Sequence, residues 1–184
     1  MAETNGVESK HDVLLDSLRK FYEQHPEHHA ILTRVLHNDS HISLRVIDWL
    51  VTNYSKKNNT TYTLQQDGLD VPFNVFLQYK AQLKSFSKRF FDPFARRERI
   101  EFPDSAGGVV LTTCGQLNFF RWAIVNGVIE YGVRHATAIE ADMMASIRHR
   151  ARPACEEKPR RKELSRAAVK SCTRTRVRVV FRFQ

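Results

Sequence analysis

Cysteine, proline and glycine are all scarce in this 184-residue chain, at three, six and seven residues. Cys114, Cys155 and Cys172 form no CxxC pair and no zinc-finger spacing, which excludes a disulfide framework and a cysteine-built zinc site. An odd count points to reduced thiols in a cytosol-like compartment, and a Cys155–Cys172 bridge has nothing specific behind it. The few glycines build no phosphate-cradling loop, and neither GxSxG nor HExxH occurs, so the common hydrolase and nucleotide signatures are missing. No run approaches the ~18–20 apolar residues that span a bilayer. Met1–Gly6 has no basic start leading into an apolar stretch, so no secretory leader is expected. No internal repeat is visible.

What the chain does have is charge, unevenly placed. Lysine and arginine number 29 against 20 acids, a formal net charge of +9. Residues 146–184 hold 13 of the basic residues and only three acids, a balance of +10. The first 145 residues are left with 16 basic and 17 acidic, a balance of −1. The basic pI is therefore a property of the tail and does not mark the body as a nucleic-acid-binding domain. A hydrophobic content of 42% with twelve phenylalanines argues for a real core. Three segments are expected: a flexible start over 1–8, a mainly helical domain over 9–147, and a basic arm over 148–184.

Periodicity fills in the body. Val13, Leu14, Leu18, Phe21 and Tyr22 have helical spacing from Ser9 onward. His25-Pro26 ends that helix, and Pro26 opens the next, carried by Ala30, Ile31, Val35 and Leu36. A third helix is expected over about Ser43–Tyr54, with Ser55–Asn59 as the break. Thr60–Leu64 reads as a short strand and Gln65–Val71 as a turn region. Pro72 is expected to open a helix marked by Phe73, Phe76, Tyr79, Leu83, Phe86 and Phe90, stopped by Asp92-Pro93. Ile100–Phe102 and Val109–Leu111 read as a hairpin. Thr113 and Gln116 have capping-box spacing ahead of a helix that stops at Asn126-Gly127. One last helix is expected from about Ile129 to Ile147. The fold class that results is mainly α with a small β-hairpin (α+β), followed by an extended basic arm ending in a strand.

Two groups of residues are candidates for binding. In the tail, Val177, Val179, Phe181 and Phe183 alternate with Arg176, Arg178 and Arg182. Period two puts apolar groups on one face of a strand and guanidinium groups on the other. Such a strand, left exposed, is an aggregation hazard, so it is expected to add to a partner's sheet edge. In the body, Lys80, Lys84, Lys88, Arg96 and Arg97 are interleaved with aromatics. With Arg160, Arg161 and Lys162 of the arm they form the alternative, a nucleic-acid surface. Helical spacing makes the phenylalanines core residues first, and the lysine stripe then becomes a solvated edge. Helices around a small hairpin also raise a winged-helix reading, although a helix follows the hairpin. His25, His28 and His29 surround a helix break, with His37 and His41 nearby. No cysteine or suitably spaced carboxylate completes a four-ligand set, so no metal and no cofactor are expected. Cys114 beside a helix start, with His135 as a conceivable base, is the weakest candidate, although the helix dipole would favour its thiolate.

The stretches Ile42–Trp49, Thr52–Asn59, Phe73–Lys80, Ser87–Phe94, Arg96–Ile100 and Thr112–Ile124, in that order, resemble a short protein of nucleocytoplasmic large DNA viruses, iridovirus-like in character. The resemblance covers about residues 36–145 and leaves the tail after Ile147 outside. It implies a viral protein, plausibly part of the particle, and brings no catalytic residues with it. The resulting expectation is a non-enzymatic virion structural protein, a minor capsid or cement component. Its partners would be the major capsid protein and other minor capsid proteins, with nucleic acid as the alternative partner of the tail. It would reside in the virion, and in the host cytoplasm during assembly.

Overall fold

The computed structural model describes residues 9–66 and 68–151. It bears out the α+β class, with two antiparallel hairpins among eight α-helical segments where one hairpin was expected. Residues Arg160, Arg161, Lys162, Arg176, Val177, Arg178, Val179, Phe181, Arg182 and Phe183 lie outside the described residues.

Helix α1 (Lys10–Gln24) starts at a full capping box. The Ser9 hydroxyl accepts from the Asp12 amide, and the Asp12 carboxylate accepts from the Ser9 amide. Leu18 and Tyr22 bury its inner face, and the Tyr22 hydroxyl donates to the Leu117 carbonyl at 2.9 Å. Pro26 begins α2 (Pro26–Leu36) immediately after His25, as its fixed φ and missing amide suit the first helical position.

Helix α3 (Leu44–Trp49) is capped by Ser43 and passes into a π-helical turn, Leu50–Tyr54, then into α4 (Ser55–Asn58). The expected break at Ser55 does not occur. Ser55 is buried and its hydroxyl donates to the Val51 carbonyl, while Thr52 donates to the Asp48 carbonyl at 2.6 Å. Hydroxyls that bond back one turn coincide here with the widened helical turn. The helix ends at Asn59, whose φ of 46° stops it in the left-handed region.

Strands β1 (Thr61–Gln66) and β2 (Leu69–Asn74) pair with Tyr62 opposite Phe73 and Leu64 opposite Val71. Pro72 therefore lies in a strand, where it was expected to open a helix. A two-stranded sheet has open edges that tolerate a residue without an amide. The helix opens two residues later: Asn74 caps α5 (Val75–Phe90), accepting from the Leu77 amide at 3.0 Å. Ser87 interrupts α5 with φ 58° and ψ 170°.

Strands β3 (Ile100–Pro103) and β4 (Val109–Thr112) form the expected hairpin. Its loop is fastened to one face of α2. His29 Nε2 lies 2.8 Å from the Pro103 carbonyl, the Ser105 amide donates to the Thr33 hydroxyl at 3.4 Å, and His37 Nε2 lies 3.2 Å from an Asp104 carboxylate oxygen.

Helix α6 (Cys114–Val125) runs through the core, with Leu117, Phe119, Phe120, Trp122 and Ala123 buried. Thr113 caps it, but the capping box is only half made. Gln116 instead donates to the Pro93 carbonyl at 2.7 Å and accepts from the Thr112 hydroxyl at 2.8 Å. Gly115 permits a close crossing, since a Cβ there would meet the Arg89 carbonyl at 2.9 Å. After Gly127 (φ 66°) the expected single helix is two, α7 (Val128–Arg134) and α8 (Ala136–Ala151), separated at His135. Trp49 and Lys57 both donate to the Asp142 carboxylate and so tie α8 to the α3–α4 segment.

Candidate functional site

The aromatic spacing of α5 resolves into core. Tyr79 is buried and Phe86 and Phe90 are half-buried, and Phe91 packs on Phe119 at 5.3 Å and Trp122 at 5.5 Å. Phe86 and Phe90 pack against the core while keeping part of each ring exposed, and Phe90 also lines a cleft. Lys80, Lys84 and Lys88 remain exposed along α5 at four-residue spacing.

The two arginines beyond the helix diverge. Arg96 lies over the Phe94 ring at 4.6 Å and 3.8 Å from an Asp92 oxygen. Arg97 lines a cleft of about 260 Å³ at the start of α6, together with His11, Arg89, Phe90, Glu98, Thr113, Cys114 and Gly115. Of the five basic body residues singled out from sequence, only Arg97 reaches this cleft. Arg89 and His11 join it from α5 and α1, a convergence that no spacing in the sequence signals. Asp48, on α3, has its carboxyl raised by burial, opposed by Arg96 and reinforced by Asp92.

Cys114 lines the same cleft, but burial pushes its thiol up to about 11, with Arg121 acting weakly the other way. Desolvation outweighs the helix dipole, which would favour a thiolate, so the thiol stays protonated at neutral pH. His135 does not line this cleft; it packs on Tyr131 at 4.3 Å between α7 and α8.

A second kind of surface is apolar. In β4 the alternation turns Val110 and Thr112 inward and leaves Val109 and Leu111 exposed at 63% and 58%. In β2, Phe73 is buried, whereas Val71 and Leu69 on the same face extend into solvent, Leu69 at 69% exposure. Among the described residues both sheets are two-stranded, so each hairpin has backbone edges that no described strand pairs, beside apolar side chains. Sequence alternation separates Val109 and Leu111 from Val110 and Thr112, but does not say which pair faces out.

The histidine-rich corner, where no suitably spaced carboxylate was expected, brings Glu27 beside two imidazoles. One ligand atom each from His25, Glu27 and His28 lies within 4.8 Å of the others. Three donors are present here, one fewer than a closed four-ligand set. His29 and His37 are engaged instead with the β3–β4 loop.

The chain belongs to the family described as "Family of unknown function (DUF7197)", which matches residues 3–173. A curated relative is "Uncharacterized protein L507" of Acanthamoeba polyphaga mimivirus, 40% identical over 135 residues, covering 71% of this chain and 52% of the relative. The chain thus spans about half the length of that relative. The expected kinship with nucleocytoplasmic large DNA viruses holds at this level. The family match also reaches further than the expected resemblance over 36–145, taking in the first part of the basic arm up to residue 173. No solved structure matches.

Proposed function

We propose that this protein is a non-enzymatic structural component of a large DNA virus particle, a minor capsid or cement protein of iridovirus-like type that bridges major capsid subunits. The observation that carries this reading is the pair of open-edged hairpins that present Leu69, Val71, Val109 and Leu111 to solvent. Apolar side chains beside unpaired strand edges suit addition to another protein's sheet. In the sequence of the arm, Arg176, Arg178 and Arg182 alternate with Val177, Val179, Phe181 and Phe183, a pattern that would suit addition to a neighbouring capsid protein's sheet. Staged stripping of purified virions tests this, with each fraction probed for the protein and cross-linked to identify neighbours. Release with the capsid shell and cross-links to the major capsid protein are expected. Absence from particles, or release with the genome alone, overturns the reading.

A second reading, nucleic-acid binding, is favoured by Arg89 and Arg97 meeting at the start of α6, where free backbone amides attract anions. The full chain carrying Arg89→Glu and Arg97→Glu tests it. If both arginines meet phosphates, the slope of log affinity against log salt drops by about 1.8, roughly 0.9 per lost contact. An unchanged slope assigns any DNA binding to the other basic residues.

A further inference from the structure

We propose that the α1–α2 corner is a divalent transition-metal site, suited to zinc, formed by His25, Glu27 and His28. Bond lengths of ~2.0–2.2 Å in a tetrahedral zinc site place neighbouring donor atoms ~3.3–3.5 Å apart. His25 Nδ1 is 3.4 Å from Glu27 Oε1, and His28 Nε2 is 3.8 Å from the same oxygen. All three donors fall within 4.8 Å of one another, so closure needs only small side-chain rotations.

The corner explains why these neighbours in sequence converge. His25 lies between the helices with φ −126° and ψ 74°, which lets its ring fold back beside the first turn of α2. Pro26 fixes the backbone at that point. Both imidazoles pack on Phe21, at 4.8 Å and 5.6 Å, and on each other at 5.1 Å, so the rings are held before any ion arrives.

Two features set the strength. The positive end of α2 opposes a cation, and the Glu27 carboxylate offsets that. Among the described residues His28 Nδ1 is buried with no hydrogen-bond partner, so none of them supplies the acceptor that usually orients a metal-bound imidazole. The site should therefore be exchangeable, with a fourth position open to water or to a partner's side chain.

Titration of the full chain with Co²⁺, followed by displacement with Zn²⁺, tests the assignment. The expected result is saturable 1:1 binding with visible d–d bands and no thiolate charge-transfer band. Affinity should fall at least tenfold in His28→Ala and in Glu27→Gln, and binding should be lost in His25→Ala/His28→Ala. Far-UV circular dichroism checks folding. Glu27 is exposed and Glu27→Gln conserves shape, so that variant stays decisive if the double variant misfolds. No saturable binding, a thiolate band, or unchanged affinity in a folded variant overturns the site.

Discussion

The β1–β2 hairpin is attached to the body through aromatic rings, and the β3–β4 hairpin through a polar clasp as well as a ring. On the first, Phe73 packs near Trp122 at 6.2 Å, and Tyr62 stacks on Tyr131 at 5.4 Å while its hydroxyl donates to the Asn126 carbonyl at 2.6 Å. On the second, Phe102 sits against Tyr22 and His29, and the chain beyond it is held by His29 and Thr33 of α2 and by His37, which caps that helix. Both leave apolar residues outside. A ring anchor loses strength when its volume is removed or its phenol ionises. A clasp of histidine, hydroxyl and carboxylate weakens with acid. The same element type thus answers to different conditions at its two sites.

The sharpest way to break this contrast is Phe73→Ala. Emptying a buried ring should cost about 3–5 kcal/mol in urea unfolding. Loss of less than 1 kcal/mol would mean that the β1–β2 hairpin is not held by its rings. Alkali should act on the same side. Burial raises the Tyr62 phenol above its ordinary value of 10.0. The stability it contributes is therefore complete below about pH 10 and is lost as pH rises through the raised folded value. Amide resonances of Tyr62 and Phe73 should shift in that range before those of Ser105 and Ala106. Tyr62→Phe removes only the hydroxyl bond and should cost about 0.5–1.5 kcal/mol.

Acid should reverse the order. Asp104 is held below its ordinary 3.8 by the Ala106 amide first, and by His37 and Thr33 after it. Its contribution is present above 3.8 and disappears as pH falls through the lowered folded value, so the β3–β4 loop amides should respond to acid first. His37 is half-exposed, and His37→Ala should change stability by no more than about 1 kcal/mol. The smallest effects belong to the outer faces. Leu69→Lys and Leu111→Lys should each stay within about 0.5 kcal/mol of the parent while weakening capsid cross-links. A large loss of stability would show that these side chains serve the fold.

Much of the fold is legible in the sequence because caps and periodicity are local. The spacing of Val13, Leu14, Leu18, Phe21 and Tyr22, the proline at 26, and the spacing of Phe76, Tyr79, Leu83, Phe86 and Phe90 all mark real elements. Pro72 misleads because proline suits both a helix start and an open strand edge, and Asn74, the true cap, is an inconspicuous residue two positions on. Asp67-Gly68 signals a turn, yet β2 lacks the clean alternation that would announce a returning strand. The basic cleft was hardly legible, since His11, Arg89 and Arg97 come from three separate parts of the chain. Glu27 beside His25 and His28 was hidden for a local reason: His25 stands outside both helices, so helical spacing does not place its ring.

The three rungs that fasten the β3–β4 hairpin occupy positions 29 and 33 of α2 and position 37 at its C-terminal cap, about one helical turn apart. A hairpin stapled at three heights cannot tilt about a single hinge. The hairpin that carries Val109 and Leu111 is thus joined by side chains to the same helix that opens at Pro26, so the outer hairpin and the histidine corner share α2 as a common support.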